Sequence, residues 1–230
     1  MLLAFETSAK AASVALFDGE KLLGESYQNT GLTHSQTLML MAEDVIKTCG
    51  ATVTDLTGVA VAAGPGSFTG VRIGVSAAKG LAWGRELPCW GVSTLESMAL
   101  GFGLQEGYIL PTMDARRSQV YTALFSVKNG VVTRILEDQA IALGELKEKL
   151  PTDMPVFLVG DGSRLTYDTL KEEIPSLIMP PEHKMHQRAV GVGLAALAAI
   201  ARGEPGDGAT LSPNYLRLSQ AERERMEKMK

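Results

Sequence analysis

Basic charge is in short supply. The 230 residues include 22 Lys and Arg against 26 Asp and Glu, a formal net charge of −4. A chain that grips nucleic acid alone is usually basic, because affinity comes largely from Lys and Arg on phosphates. Any nucleic-acid role therefore needs a local basic patch or a partner. Cysteine is nearly absent. Cys49 and Cys89 are the only two, and no metal-type spacing joins them. That excludes a disulfide framework and suits the reduced cytoplasm. Long apolar runs are also missing: GVGLAALAAIA, at 11 residues (191–201), is too short to span a bilayer. Met1 opens into MLLAFETS with no basic region before a long apolar run, so no secretory signal peptide is expected. Apolar bulk is plentiful, at 45% of the chain. It is enough to bury the core of one or two globular domains.

The chain opens as a meander of three strands: MLLAFE, AASVALFD (11–18) and KLLGESYQ (21–28), with DGEK as a hairpin turn. A helix is expected over 33–49, capped by Thr33 or Ser35 and followed by Gly50. A buried strand at 56–64 leads through the loop AAGPGSFTGVRIG into a second helix at 67–84, capped by Ser67 or Thr69. A strand at 88–93 and a helix at 94–102 complete a half. Sliding the sequence by 108 residues sets Leu2 on Leu110, Glu6 on Asp114, and Ala15-Leu16-Phe17 on Ala123-Leu124-Phe125. This reads as an internal duplication; the bland alternative is two unrelated hairpins built from common strand residues. A helix at 143–150, a strand at 155–162, a helix at 163–173, a strand at 176–179 and a helix at 187–202 follow. The charged tail AERERMEKMK is expected to fray or form a surface helix.

Three strands, helix, strand, helix, strand, helix, twice over, predicts an α/β protein of two similar layered domains, 1–102 and 103–230. The last helix is free to pack back on the first domain. This is the plan of the actin, sugar-kinase and heat-shock-chaperone (ASKHA) superfamily, each domain a mixed sheet with helices. In that plan nucleotide phosphates meet the hairpin after the first strand of each half. Those stretches here are ETSAKAAS (6–13) and DARRSQVY (114–121).

The first stretch lacks glycine, which hinders close backbone approach to a phosphate. In the second, Arg116 and Arg117 either bind an anion or pair with acids at the domain junction. The loop before the second helix is no P-loop, since GPGSFTGV lacks the Gly-Lys-Ser/Thr ending. It aims helix N-terminal amides outward, so Gly64, Gly66 and Ser67 join Arg116 and Arg117 as candidate nucleotide or anion contacts. Its main role is a tight strand-to-helix turn. The helix it opens contains Gly70, Gly74 and Gly80, although glycine there costs roughly 1 kcal/mol against alanine. Small side chains let another backbone come close. The first helix carries Leu38 to Ala42 as five apolar residues in a row, more than one stripe on a sheet requires. Either both helices are buried in a larger core, or they offer a partner-binding surface. The residues proposed for that surface are Leu38, Met41, Ala42 and Val45 on the first helix, with Arg72, Val75, Ser76 and Lys79 on the second. Trp83 continues the face of Arg72, Ser76 and Lys79 at helical spacing.

FETSAKAASVAL, HSQTLMLM, GPGSFTGVRIGVSAAKGLAWG, MDARRSQVY, LVGDG and SPNYLR together resemble the bacterial TsaB (YeaZ) family, in order over essentially the whole chain. The resemblance implies a non-catalytic partner of TsaD, the enzyme that transfers threonylcarbamoyl to an adenosine next to the tRNA anticodon. It implies pairing with TsaD through the two helices, recruitment of the ATPase TsaE by the complex, tRNA contact only through the complex, and a cytoplasmic location. A homodimer is expected when TsaD is missing. No cofactor and no metal are implied. TsaD relatives hold a metal through a His-x-x-x-His pair on the first helix, whereas this chain has His34 followed by Leu38. His183 and His186, in HKMH, read as solvated loop residues, and His34 as a helix-start residue bonding nearby backbone or water. An ATP-dependent small-molecule kinase or ATPase of the same superfamily is the alternative function. A metallopeptidase is a third, weakened by the missing histidine.

Overall fold

The computed structural model describes residues 1–103 and 105–217. The charged stretch at 221–230 lies outside them. The opening meander forms as expected: β1 (Leu2–Glu6), β2 (Ala12–Asp18) and β3 (Lys21–Gln28) are antiparallel neighbours. β4 (Gly58–Gly64) then pairs parallel with β1, and β5 (Cys89–Ser93) with β4. The sheet order is β3-β2-β1-β4-β5. The second half repeats it with β6 (Gly107–Asp114), β7 (Gln119–Lys128), β8 (Val131–Ala142), β9 (Val156–Val159) and β10 (Leu177–Ile178), in the order β8-β7-β6-β9-β10. Two mixed sheets with one strand order are what the duplication predicts. The ends of β1 and β6 carry Glu6 and Asp114, the acids aligned by the 108-residue shift.

Five layers result. α1 (His34–Thr48) and α2 (Phe68–Gly84) cover the outer face of the first sheet, where Leu38, Val45, Val71 and Val75 meet Phe5, Leu16 and Val61. α4 (Leu143–Leu146), prolonged by a 3₁₀ turn, and α5 (Ser163–Leu170) cover the outer face of the second. Between the sheets lie α3 (Thr94–Phe102) and α6 (Ala189–Ala201). α6 is apolar almost all round, and a helix of that kind must be buried. Its Val192, Ala195 and Ala196 pack on Leu2, Ala4, Ala60 and Ala62 of the first sheet. α3 does the reverse, placing Leu95, Met98 and Ala99 against Ile109, Phe125 and Val127 of the second. Each half lends its last helix to the other. β1 and β4, covered on both faces, are buried at every residue.

α3 and α6 cross at glycine. A Cβ on Gly191 would run into the carbonyl oxygen of Ser97 and stand 3.4 Å from the backbone nitrogen of Gly101. Alanine would favour the helix by about 1 kcal/mol. Backbone cannot yield cheaply, so the clash outweighs that gain. Gly191→Ala should therefore lower unfolding stability by about 2 kcal/mol, read from the urea midpoint. A higher midpoint would contradict the close crossing.

Candidate functional site

The β4–α2 loop lies on the turn between β1 and β2. The Ser67 N–H donates to the carbonyl of Ser8 at 2.7 Å, and the Thr7 hydroxyl donates to the Gly70 carbonyl at 2.8 Å. Ser67 caps α2, its side chain accepting from the Gly70 N–H at 3.3 Å. A Cβ at Gly66 would strike Ser8, and one at Gly70 or Gly74 would strike Thr7. These glycines thus let α2 settle on the chain's own backbone. Gly80, like Gly84 at the helix end, is open, with no atom within 4 Å of where a Cβ would stand. Gly70 and Gly74 thus follow the buried-core alternative, with the close approach made by the chain's own β1–β2 turn. The reading of Gly64 as a nucleotide contact is corrected. It is buried at φ +120° beneath the backbone of Asn214, so it offers nothing to a nucleotide.

Gly66 and Ser67 do reach a cleft of about 440 Å³ between the halves, facing Asp114, Arg116 and Asp161 from the second half. Arg116 pairs with its own Asp114: Nη1 stands 3.2 Å from Oδ2, and the Arg116 backbone N–H donates to Oδ1 at 2.7 Å. Arg116, Arg117 and Ser118 take φ of 66°, 56° and 56°, a left-handed run that turns both arginine side chains out to solvent. Among the described residues Arg117 makes no ion pair, so only one of the two arginines follows the acid-pairing alternative. Behind the wall, two residues before Ser8, Glu6 is fully buried. Its Oε1 accepts the Ser8 N–H at 2.6 Å, and its Oε2 has no partner. Burial pushes its pKa up to about 7, with the Asp161 charge acting in the same direction.

The outer helices differ from expectation in a specific way. Leu38, Met41, Ala42 and Val45 are buried against their own sheet, as is Val75 on α2. Spacings of 3, 1 and 3 put the four α1 residues on one stripe. The surplus apolar residues that face outward are Met39 and Leu40, 48% and 66% exposed. On α2, Ser76 is exposed and Trp83 is 87% exposed. Arg72 and Lys79 are engaged within the chain. A strap over residues 204–217, which carries no periodic signal in the sequence, crosses α2. Arg72 Nε donates to the Tyr215 hydroxyl at 2.8 Å, and Lys79 Nζ donates to the Leu211 carbonyl at 2.8 Å. The Asn214 N–H donates to the Ala63 carbonyl at 2.6 Å, and Arg217 NH1 donates to the Ala115 carbonyl at 2.5 Å. The strap therefore runs from α2 to the second half.

His34 Nε2 lies 2.7 Å from the Ala9 carbonyl, tying α1 to the β1–β2 turn, and His186 Nε2 lies 2.9 Å from Glu182. Among the described residues no three His, Cys, Asp or Glu are grouped to hold a metal. No helix among them is long and apolar enough to cross a membrane.

The profile of the TsaD family, tRNA N6-adenosine threonylcarbamoyltransferase, matches residues 28–224. A Bacillus subtilis protein named tRNA threonylcarbamoyladenosine biosynthesis protein TsaB is 34% identical over 234 residues, 100% of this chain and 99% of its own. The chain belongs to the TsaB family. The Escherichia coli TsaB of the same description is 37% identical over 147 residues, 63% of each chain. The solved structure of YeaZ from Pseudomonas aeruginosa superposes with a TM-score of 0.76 at 25% identity, over 94% of this chain and 99% of its own. Family and fold thus agree with the motifs, and the mixed five-stranded sheets are those of a TsaB-like, actin-like architecture.

The buried Glu6 gives a pH prediction. Its folded pKa, about 7, lies above its unfolded value near 4.5. The folded state therefore holds a proton that the unfolded state has released between those values. The stability this proton contributes is full below about pH 4.5 and is lost as pH rises through 7, roughly 3 kcal/mol in all. Glu6→Gln should flatten that slope and raise stability at pH 8. Urea midpoints from pH 5 to 8 check it; an unchanged slope would assign the dependence to other groups.

Proposed function

We propose that the chain is a non-catalytic subunit of the complex that forms threonylcarbamoyladenosine in tRNA next to the anticodon, pairing with a TsaD-like transferase through the outer face of α1 and α2. The observation that carries this reading is the apolar surface that face leaves open. Met39 and Val53 line a groove of about 450 Å³ with Leu81. Leu40 follows Met39 on α1 and is exposed, and Gly80 keeps the surface of α2 low; Trp83 is exposed on the strap side of α2, with Lys79 and Ala209. Exposed apolar side chains over an apolar groove mark an interaction surface. Full-length similarity to proteins of threonylcarbamoyladenosine biosynthesis supports the same reading over a small-molecule kinase.

The non-catalytic role rests on the chain's own residues. Where the resemblance to TsaD calls for a second metal-binding histidine on α1, Leu38 lies in the core at 1% exposure. TsaE joins through the complex, tRNA is met through the complex, and the same open face pairs copies of the chain when TsaD is missing.

Two substitutions two residues apart on α1 separate surface from core. Leu40→Glu should leave the far-ultraviolet circular dichroism unchanged and cost about 2 kcal/mol or more in pairing with the TsaD-like protein of the same organism. Light scattering reads that loss. Leu38→Glu should instead unfold the chain, because it places an unpaired charge in the core. Undiminished pairing by Leu40→Glu would contradict the proposed face. Robust ATP turnover by the lone chain on a sugar panel would contradict the non-catalytic role.

A further inference from the structure

With a net charge of −4, this chain touches nucleic acid only where basic residues converge locally. The fold makes one such place. Lys10 from the β1–β2 turn, Arg116 from the β6–β7 turn and Arg217 from the strap line the interdomain cleft, over 200 residues apart at the extremes of sequence. Arg117 stands next to Arg116 on the same exposed turn. Among the described residues neither Lys10 nor Arg117 is in an ion pair, and the opposing carboxylates on the wall are Asp114, already paired with Arg116, and Asp161. Positive charge therefore dominates the mouth of the cleft in an acidic chain.

The same mouth holds an aromatic platform. Tyr215 and Phe68 both line it, and their rings stack at 4.9 Å between centroids. The Arg72 guanidinium lies 3.9 Å from the Phe68 centroid and bonds the Tyr215 hydroxyl, which fixes the tyrosine in place. Tyr215 remains 39% exposed. Behind the platform, Ser8 is wholly buried on the cleft wall, its N–H on the Glu6 carboxyl. α2 begins at this wall; the Ser67 and Gly70 amides are already paired, so only its first amides in between can add donors.

Cations that track a backbone, with an aromatic face beside them, are the two elements of single-strand recognition. A cleft of about 440 Å³ suits one nucleotide, not a duplex. We propose that the mouth of the interdomain cleft binds one nucleotide of a single-stranded RNA segment, its phosphate on Lys10, Arg116 and Arg117 and its base against Tyr215. The choice of RNA over a free nucleotide rests on the tRNA-modifying role proposed above.

The test uses the complex of this chain with the TsaD-like protein of the same organism, and a fluorescein-labelled 17-nucleotide RNA hairpin with an anticodon stem-loop sequence. Pairing is followed by light scattering and RNA binding by anisotropy, so the two can fail separately. Arg116→Gln with Arg117→Gln should weaken RNA binding about tenfold and lower the salt slope by about 1.4, since each lost single-strand phosphate contact removes about 0.7. Tyr215→Ala should weaken it by about tenfold with the salt slope unchanged, the signature of lost stacking. Lys147→Gln, on the far surface, is the control. A complex that forms but binds the RNA equally well in all variants, or not at all, overturns the site. Loss of ATP or AMP binding in the same variants, with RNA binding untouched, also overturns it and assigns the cleft to a free nucleotide. Failure to pair would instead overturn the proposed function.

Discussion

The contact on which this fold depends is that of α2 with the turn after β1. Gly66, Gly70 and Gly74 leave no room for side chains because Thr7 and Ser8 occupy that space. The two helical glycines cost about 2 kcal/mol in helix propensity. In return the helix sinks onto the sheet, and Val71, Val75 and Ala78 are buried with it. Everything nearby follows from this seating. It presses Ser8 into the cleft wall and shuts Glu6 away from water. It also decides which side of α2 faces out, and so which side chains are left to the strap and to a partner.

The exchange of α3 and α6 does for the whole chain what this contact does for one half. Each sheet is completed by a helix encoded in the other half, and the two helices touch through Gly101 and Gly191. The strap adds a third tie, from Ala63 and Arg72 on the first half to Ala115 on the second. The cleft is therefore bounded by groups drawn from the β1–β2 turn, the β6–β7 turn and the strap. Its charge is a property of the assembled fold, which composition could not reveal.

Much of the fold was legible because strands and helices announce themselves through pattern. The repeat of Ala-Leu-Phe at 15–17 and 123–125 does fall in equivalent strands, β2 and β7. The wrong readings have physical causes. An apolar run such as Leu38 to Ala42 tells how much surface is greasy, but only the helix phase tells which residues sit inside. Sequence spacing alone, 38, 41, 42 and 45, contained that phase and pointed inward. Gly64 looked like a phosphate turn because glycine permits close approach; the group that approaches is Asn214. The strap has neither period 2 nor period 3.6, so Leu211 and Tyr215 gave no sign of where they would dock. The expected helix at 143–150 stops being α-helical after Leu146, and the strand at 176–179 keeps only two residues, as edge elements often shorten.

The central claim is that one face, the outer side of α1 and α2, is the docking surface of the chain. Hydrogen–deuterium exchange of the chain alone and bound to the TsaD-like protein tests it directly. The account predicts slowed exchange in peptides covering 36–48 and 72–84, with the sheet of the second half unchanged. Protection confined to peptides of β7 and β8, with α1 and α2 exchanging as in the free chain, would contradict it.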